Sequence, residues 1–239
     1  MIKSLESKFI LFIFLGFFTI QISCKKDASI SPISVNNKNY FPLEKGRYWI
    51  YKVDSFYYND FTSSIDTFSF ELKEYIESEI KDDKGNTSYR LERYYRNNST
   101  ENWQLKRVWL ASFSQNSALK TEENIRYLKL LFPIKQNLKW NGNAYNTLGE
   151  QNFEYTDIHK KTSLGTLDFD SVCTILQIAD TSLISIEYHS EQYAANVGLI
   201  KKRKMSLQDT RSTIQTSIPI VERANKGTDV IYTIISYGK

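Results

Sequence analysis

From Arg47 onward, apolar and polar side chains alternate with a period of two. Trp49, Tyr51 and Val53 share one face of a strand, and Lys52 and Asp54 the other. Phe68, Phe70 and Leu72 alternate with Ser69, Glu71 and Lys73. After the turn sequence Asp82-Asp83-Lys84-Gly85-Asn86, Tyr89, Leu91 and Tyr95 alternate with Arg90, Glu92 and Arg96, so these two segments predict a hairpin. Trp103, Leu105, Trp109 and Phe113 continue the pattern. Further runs near 126–134, 151–158, 171–179, 183–193, 197–205 and 229–237 are rich in β-branched and aromatic residues. No fifteen-residue stretch carries a helical stripe; a short helix or turn fits only around 119–125 or 191–196. The prediction is a mainly β chain: about ten strands in a curved antiparallel sheet or partial barrel, with few or short helices, forming a single domain over 40–239.

One spacing recurs. Phe41-Pro42-Leu43 followed by Trp49 has the spacing of Phe132-Pro133-Ile134 followed by Trp140, so two halves beginning at 41 and 132 could each open with an extended Phe-Pro lead-in and a Trp-anchored strand.

The first two dozen residues follow a different rule. Lys3 and Lys8 make a positive start, and Phe9 to Ile20 form a short apolar run that ends before Cys24. A bilayer core needs about twenty apolar residues, so the run reads as a signal over 1–23 rather than a span. Gln21-Ile22-Ser23-Cys24 resembles a bacterial lipobox, in which the cysteine is lipidated and becomes the first residue of the mature protein. Three acyl chains at ~0.8 kcal/mol per buried methylene would anchor the chain to a membrane almost irreversibly. Residues 24–39, polar and rich in Ser and Asn, read as a flexible tether behind that lipid.

Tyr40-Phe-Pro-Leu-Glu-Lys-Gly-Arg-Tyr-Trp-Ile-Tyr51 and Tyr193-Ala-Ala-Asn-Val-Gly-Leu-Ile-Lys201 are similar to the opening and late signatures of uncharacterised Bacteroidetes lipoproteins. That group resembles the curved half-barrels of periplasmic lipoprotein carriers. The resemblance implies a fold and an address, with Phe41, Pro42, Leu43, Gly46, Trp49, Val197, Gly198 and Leu199 as structural positions. Lys25 follows Cys24 where an Asp would favour retention at the inner membrane, which points to the outer membrane.

The 239 residues carry a net charge of +4, which falls to +3 without Lys3, Lys8 and Glu6, and this is too little to read as a nucleic-acid footprint. The aromatic excess, 16 Tyr and 14 Phe against 9 Gly, divides between the Phe-rich signal and a Tyr-rich sheet whose rings pack on a pleated face while their hydroxyls reach water.

Candidate chemistry is sparse. The sequence holds no Gly-rich phosphate loop and no nucleophile elbow. Glu187, His189 and Glu191, at alternate positions of one strand, are the best metal-ligand set, but with Ile184, Ile186 and Tyr188 opposite them they are expected on the solvated face. Asp157 could orient His159, and Asp168 and Asp170 flank Phe169 as a carboxylate pair. Cys173 is expected as a buried, inert thiol. Lys201-Lys-Arg-Lys204 reads as a solvated basic run on an edge strand. No cofactor is called for. The expected role is a non-enzymatic envelope lipoprotein that binds a hydrophobic ligand between Trp and Phe faces. The alternatives are an accessory subunit of an outer-membrane protein complex and, as a minor reading, a hydrolase using His159 or His189.

Overall fold

Alternation of period two becomes β structure throughout residues 37–239, the residues described by the computed structural model. Cys24, the tether before Asn37 and the signal lie outside the described residues. Twelve strands follow in chain order: β1 (Tyr48–Asn59), β2 (Ser64–Lys81), β3 (Thr87–Arg96), β4 (Gln104–Ser114), β5 (Ser117–Glu122), β6 (Ile125–Leu131), β7 (Lys139–Asn141), β8 (Asn152–Leu164), β9 (Leu167–Thr181), β10 (Ser185–Ala194), β11 (Gly198–Gln208) and β12 (Lys226–Gly238). A 3-10 turn at Asn37–Tyr40 and one short helix, α1 (Ile220–Arg223), complete the described elements.

All pairings are antiparallel between sequence neighbours, except that β1 also pairs with β12. The sheet therefore runs from β7 through β12 and β1 to β6 and is nearly closed into a barrel. Its two end strands meet across a seam without a ladder. There the Leu128 N–H donates to the Gly142 carbonyl at 2.9 Å, and the Trp140 indole N–H donates to the Leu128 carbonyl at 3.1 Å. Such closure leaves little unpaired edge for other chains to join.

The turn expected within residues 119–125 lies at Glu123–Asn124, and the rest of that stretch is the strand pair β5 and β6. Glu123 and Asn124 take φ of 48° and 66°, the two-residue turn whose twist matches the flanking strands β5 and β6. Of the second expected span, 191–194 belong to β10, and the turn follows at 195–197.

The lead-in from Asn37 plugs one end of the barrel. Tyr40 and Phe41 are buried against Phe113, Phe132, Ile134 and Tyr193, with Leu43 packed beside them. The two sequence motifs meet here. The Trp49 indole N–H donates to the Val197 carbonyl at 2.5 Å, and the Tyr51 hydroxyl donates to the Leu199 carbonyl at 3.0 Å. Gly198 has φ +101°, and a Cβ there would lie 3.3 Å from both Pro42 Cδ and Trp49 Nε1, so glycine suits both the backbone and the close approach. Gly46, at φ +92°, turns the lead-in so that its N–H reaches the Ile76 carbonyl at 2.8 Å.

The faces of β10 are the reverse of those expected. His189, Glu191 and Tyr193 point into the barrel, with Glu191 1% exposed, while Glu187 near the start of the strand is half exposed and Ile184, just before β10, is 49% exposed. Two facts account for this. The interior is polar at that level, and the outer apolar stripe has its own cover. Ile186 and Tyr188 pair with the buried Leu207 and Met205, and α1 of the 209–225 connector, with its buried Ile220, packs against β10 and β11.

Candidate ligand-binding site

Past the apolar plug, polar residues sit in phase with apolar ones and therefore point inward. Glu74 lies between Leu72 and Ile76 on β2, Lys120 follows Ala118 by two on β5, and Glu191 precedes Tyr193 by two on β10. The strands bring these groups around a cavity of about 220 Å³ walled by Tyr51, Trp109, Tyr193 and Tyr232 together with charged side chains.

A buried carboxylate is costly unless it is paired, and each one here is held by two cations. Glu74 accepts from Lys120 Nζ at 2.9 and 3.1 Å and from Arg93 Nε at 3.0 Å. Arg93 and Lys120 both lie over the Trp109 ring, 3.7 and 4.9 Å from its centre. Glu191 accepts from Lys129 at 2.7 Å and from the Tyr193 hydroxyl at 2.8 Å, with Lys202 at 3.1 Å. Glu122 lies 3.6 Å from Lys129 and 3.8 Å from Lys202, linking the same two lysines a second time.

The titration of these groups follows from that arrangement. Burial works to raise the Glu191 carboxyl, but Lys129 and Lys202 outweigh it and hold the group well below the usual carboxylate range. At Glu122 the same contest, with Lys202, Lys129 and Lys120 opposing burial, ends at about 2. Burial disfavours the Lys202 ammonium, yet Glu122 and Glu191 keep it above its ordinary value. His189 goes the other way: burial first, then Lys204 and Lys202, lower it from 6.5 to about 4, so it is neutral at neutral pH. The cavity wall carries five cations, Arg93, Lys120, Lys129, Lys202 and Lys204, against three carboxylates, Glu74, Glu122 and Glu191, an excess of two positive charges.

The Lys201–Lys204 run lies on β11, between β10 and β12 rather than at an edge, and strand alternation splits it. Lys202 and Lys204 face the cavity, while Arg203 faces outward to Asp229, with contacts of 2.7 and 3.0 Å. Where a deep apolar cleft between Trp and Phe faces was expected, the structure has this charged chamber. The apolar hollow beside Pro42, Trp49 and Leu199 measures only about 30 Å³.

The other sequence candidates separate. Glu191 is committed to Lys129, Lys202 and Tyr193, and His189 Nε2 lies 3.6 Å from the more exposed Glu187, so the trio does not converge on one point. Among the described residues no group of three or more His, Cys, Asp and Glu is arranged to hold a metal ion. His159 turns away from Asp157 at a bulge of β8, with φ 54°, and its Nδ1 lies 2.9 Å from the Tyr40 hydroxyl and 3.1 Å from Ser171 Oγ; Asp157 pairs with Lys160 instead. Asp168 accepts from Ser163 at 2.6 Å, while Asp170 stands in solvent. Cys173 is fully buried in the plug, and burial pushes its thiol well up. The inward charges of β2, β3, β5 and β6 were not singled out from sequence, and those of β11 were expected on a solvated edge. The available signal was a charged residue in phase with an otherwise apolar face.

No family model matches the chain, and no curated protein matches it in sequence. A crystal structure of a protein provisionally assigned as a lipoprotein, from Parabacteroides distasonis ATCC 8503, is similar at a TM-score of 0.40 and 12% identity. The match covers 83% of this chain and 98% of that one.

Proposed function

We propose that the protein is a lipid-anchored binding protein of the cell envelope, held at the outer membrane through Cys24, that takes a small polar ligand inside its barrel. The observation that carries the binding reading is the 220 Å³ cavity with its surplus of positive charge, set where a purely structural barrel would be packed with apolar side chains. A hydrophobic ligand would have to strip water from eight charged groups without replacing any of their partners, so the ligand is polar. The lipid anchor rests on the signal and on Ser23-Cys24-Lys25. The second reading, an accessory subunit of an outer-membrane protein complex, draws on one observation: Phe61, Ile65 and Phe68 stand exposed on the β1–β2 hairpin.

Two experiments test the main reading. Cys24→Ala moves the protein from the membrane to the soluble fraction, and unchanged partitioning would exclude the anchor. Protein purified from its native envelope and then denatured releases a polar small molecule in near-stoichiometric amount by mass spectrometry. Release of no small molecule overturns the binding reading.

A further inference from the structure

Next to the main cavity lies a second chamber of about 160 Å³ that shares Glu122, Lys129, Lys202 and Lys204 with it as a common wall. One water needs only about 15 Å³, so this chamber has room for a multi-atom group. Three features of its lining are left over once the internal ion pairs are assigned.

The first is Lys204. Lys129 and Lys202 are both tied to Glu191, but among the described residues Lys204 makes no ion pair. It is the one exposed residue in the linings of the two chambers, which places it at their solvent side. The second is Gln177, which is 9% exposed and whose Nε2 has no hydrogen-bond partner. Buried amide donors without acceptors are rare because they forfeit the hydrogen bond that water would give. Gln177 is also the extra residue of a β-bulge, lying between the pairs His189↔Ile178 and Ser190↔Leu176, and bulges re-aim side chains beside binding sites. The third is charge. Glu122 is the one carboxylate in this wall, against Lys129, Lys202 and Lys204, and neutral His189 adds hydrogen-bonding capacity without a further charge. A cation would be repelled here, and a neutral ligand would leave the surplus uncompensated. A group with two or three negative oxygens answers both the charge and the spare N–H donors.

We infer that this chamber binds the oxyanion group of the ligand, a phosphate or carboxylate, through the Lys204 ammonium and the Gln177 side-chain amide. Lys202 and His189 complete the wall. The inference rests on the reading of the interior as a ligand site and specifies the ligand's charged end.

The test is titration calorimetry of the detergent-solubilised full chain, in chloride buffer, with inorganic phosphate and with succinate in parallel. At least one of them binds once per chain, and the arm that binds identifies the group. Lys204→Met weakens that binding tenfold or more, and Gln177→Glu, which keeps the volume and adds a negative charge, abolishes it. Lys201→Met, three residues before Lys204 on the same strand and outside both linings, leaves it within twofold. Circular dichroism and thermal melts establish that each variant is folded, and Gln177→Leu replaces any that is not, with a tenfold loss expected. Binding of neither anion overturns the inference, as does equal binding by the Lys204 and Gln177 variants or an equal loss in Lys201→Met. If the natively purified protein releases a small molecule while both anions fail to bind, the oxyanion assignment falls and the binding reading stands.

Discussion

Replacing Glu191 by Gln keeps the size and shape of the side chain and removes one buried charge. In the native protein that carboxylate has ammonium groups at 2.7 and 3.1 Å. At an effective dielectric constant of about 20, these attractions are each on the order of 5–6 kcal/mol, most of which is offset by taking the charges out of water. Glu191→Gln removes the attraction but leaves the desolvation of Lys129 and Lys202, which retain only Glu122 at 3.6 and 3.8 Å. The net cost of breaking such a buried group is about 3–5 kcal/mol. For a chain of this size, about 2–4 °C of melting temperature is lost per kcal/mol, so the midpoint falls by roughly 6–20 °C. Differential scanning calorimetry at pH 7 measures it directly. Adding Lys129→Met to Glu191→Gln removes one of the two stranded cations and recovers a substantial part of the loss, because the pair is worth less than the cost of separating it. A Glu191→Gln protein within about 1 kcal/mol of the parent would refute the reasoning, since it would mean that the cations are already solvated and the network is not buried.

Two further variants address other parts of the fold. Gly198→Ala forces an L side chain into φ +101° against Pro42 and Trp49 and costs about 1–3 kcal/mol in a denaturant melt, whereas Gly149→Ala, with open space around it, stays within about 0.5 kcal/mol; equal effects would contradict the packing of the two motifs. His189 is held at about 4, below its ordinary 6.5, so it stabilises the fold fully above pH 6.5 and that stability is lost as pH falls toward 4. The depressed carboxyl of Glu122 adds a second loss only below about pH 4.5, toward 2. Melting temperatures of His189→Gln should lack the first decline, and an unchanged pH profile would rule out a neutral, buried His189.

The strand content and the hairpin across 82–86 follow from features legible in the chain, whereas the contact of the two motifs appears only once the sheet is closed. Period two marks the strands, turn residues mark the hairpin, and Leu72↔Tyr95 and Ile76↔Leu91 pair as the alternation implies. The inside of the barrel was harder to read, because alternation separates two faces without saying which one is enclosed. On β10 the more apolar face is the outer one, against which α1 of the 209–225 connector packs, a segment beyond the next strand that the alternation of β10 does not reveal. The bulge that re-aims Gln177 leaves no mark in a pattern of residue types, and Lys204 looks like any surface lysine until β12 is found beside it. The site is assembled from strands of both halves of the sheet, so its charges come together only at the level of closure.

The pairing of β1 with β12 sets Tyr48 against Gly238, so the two ends of the domain are strand partners beside the plug, where Lys239 reaches Glu44. The seam between β6 and β7 is joined by isolated hydrogen bonds rather than a ladder. Strand order around the ring would therefore survive a circular permutation that keeps the plug: joining residue 239 to residue 37 through a flexible linker and opening the chain between 132 and 138 turns the present seam into the new termini. A reporter fused at Lys239 in the natural order would sit at the plugged end, leaving the chamber walled by Lys204 and Gln177 unobstructed.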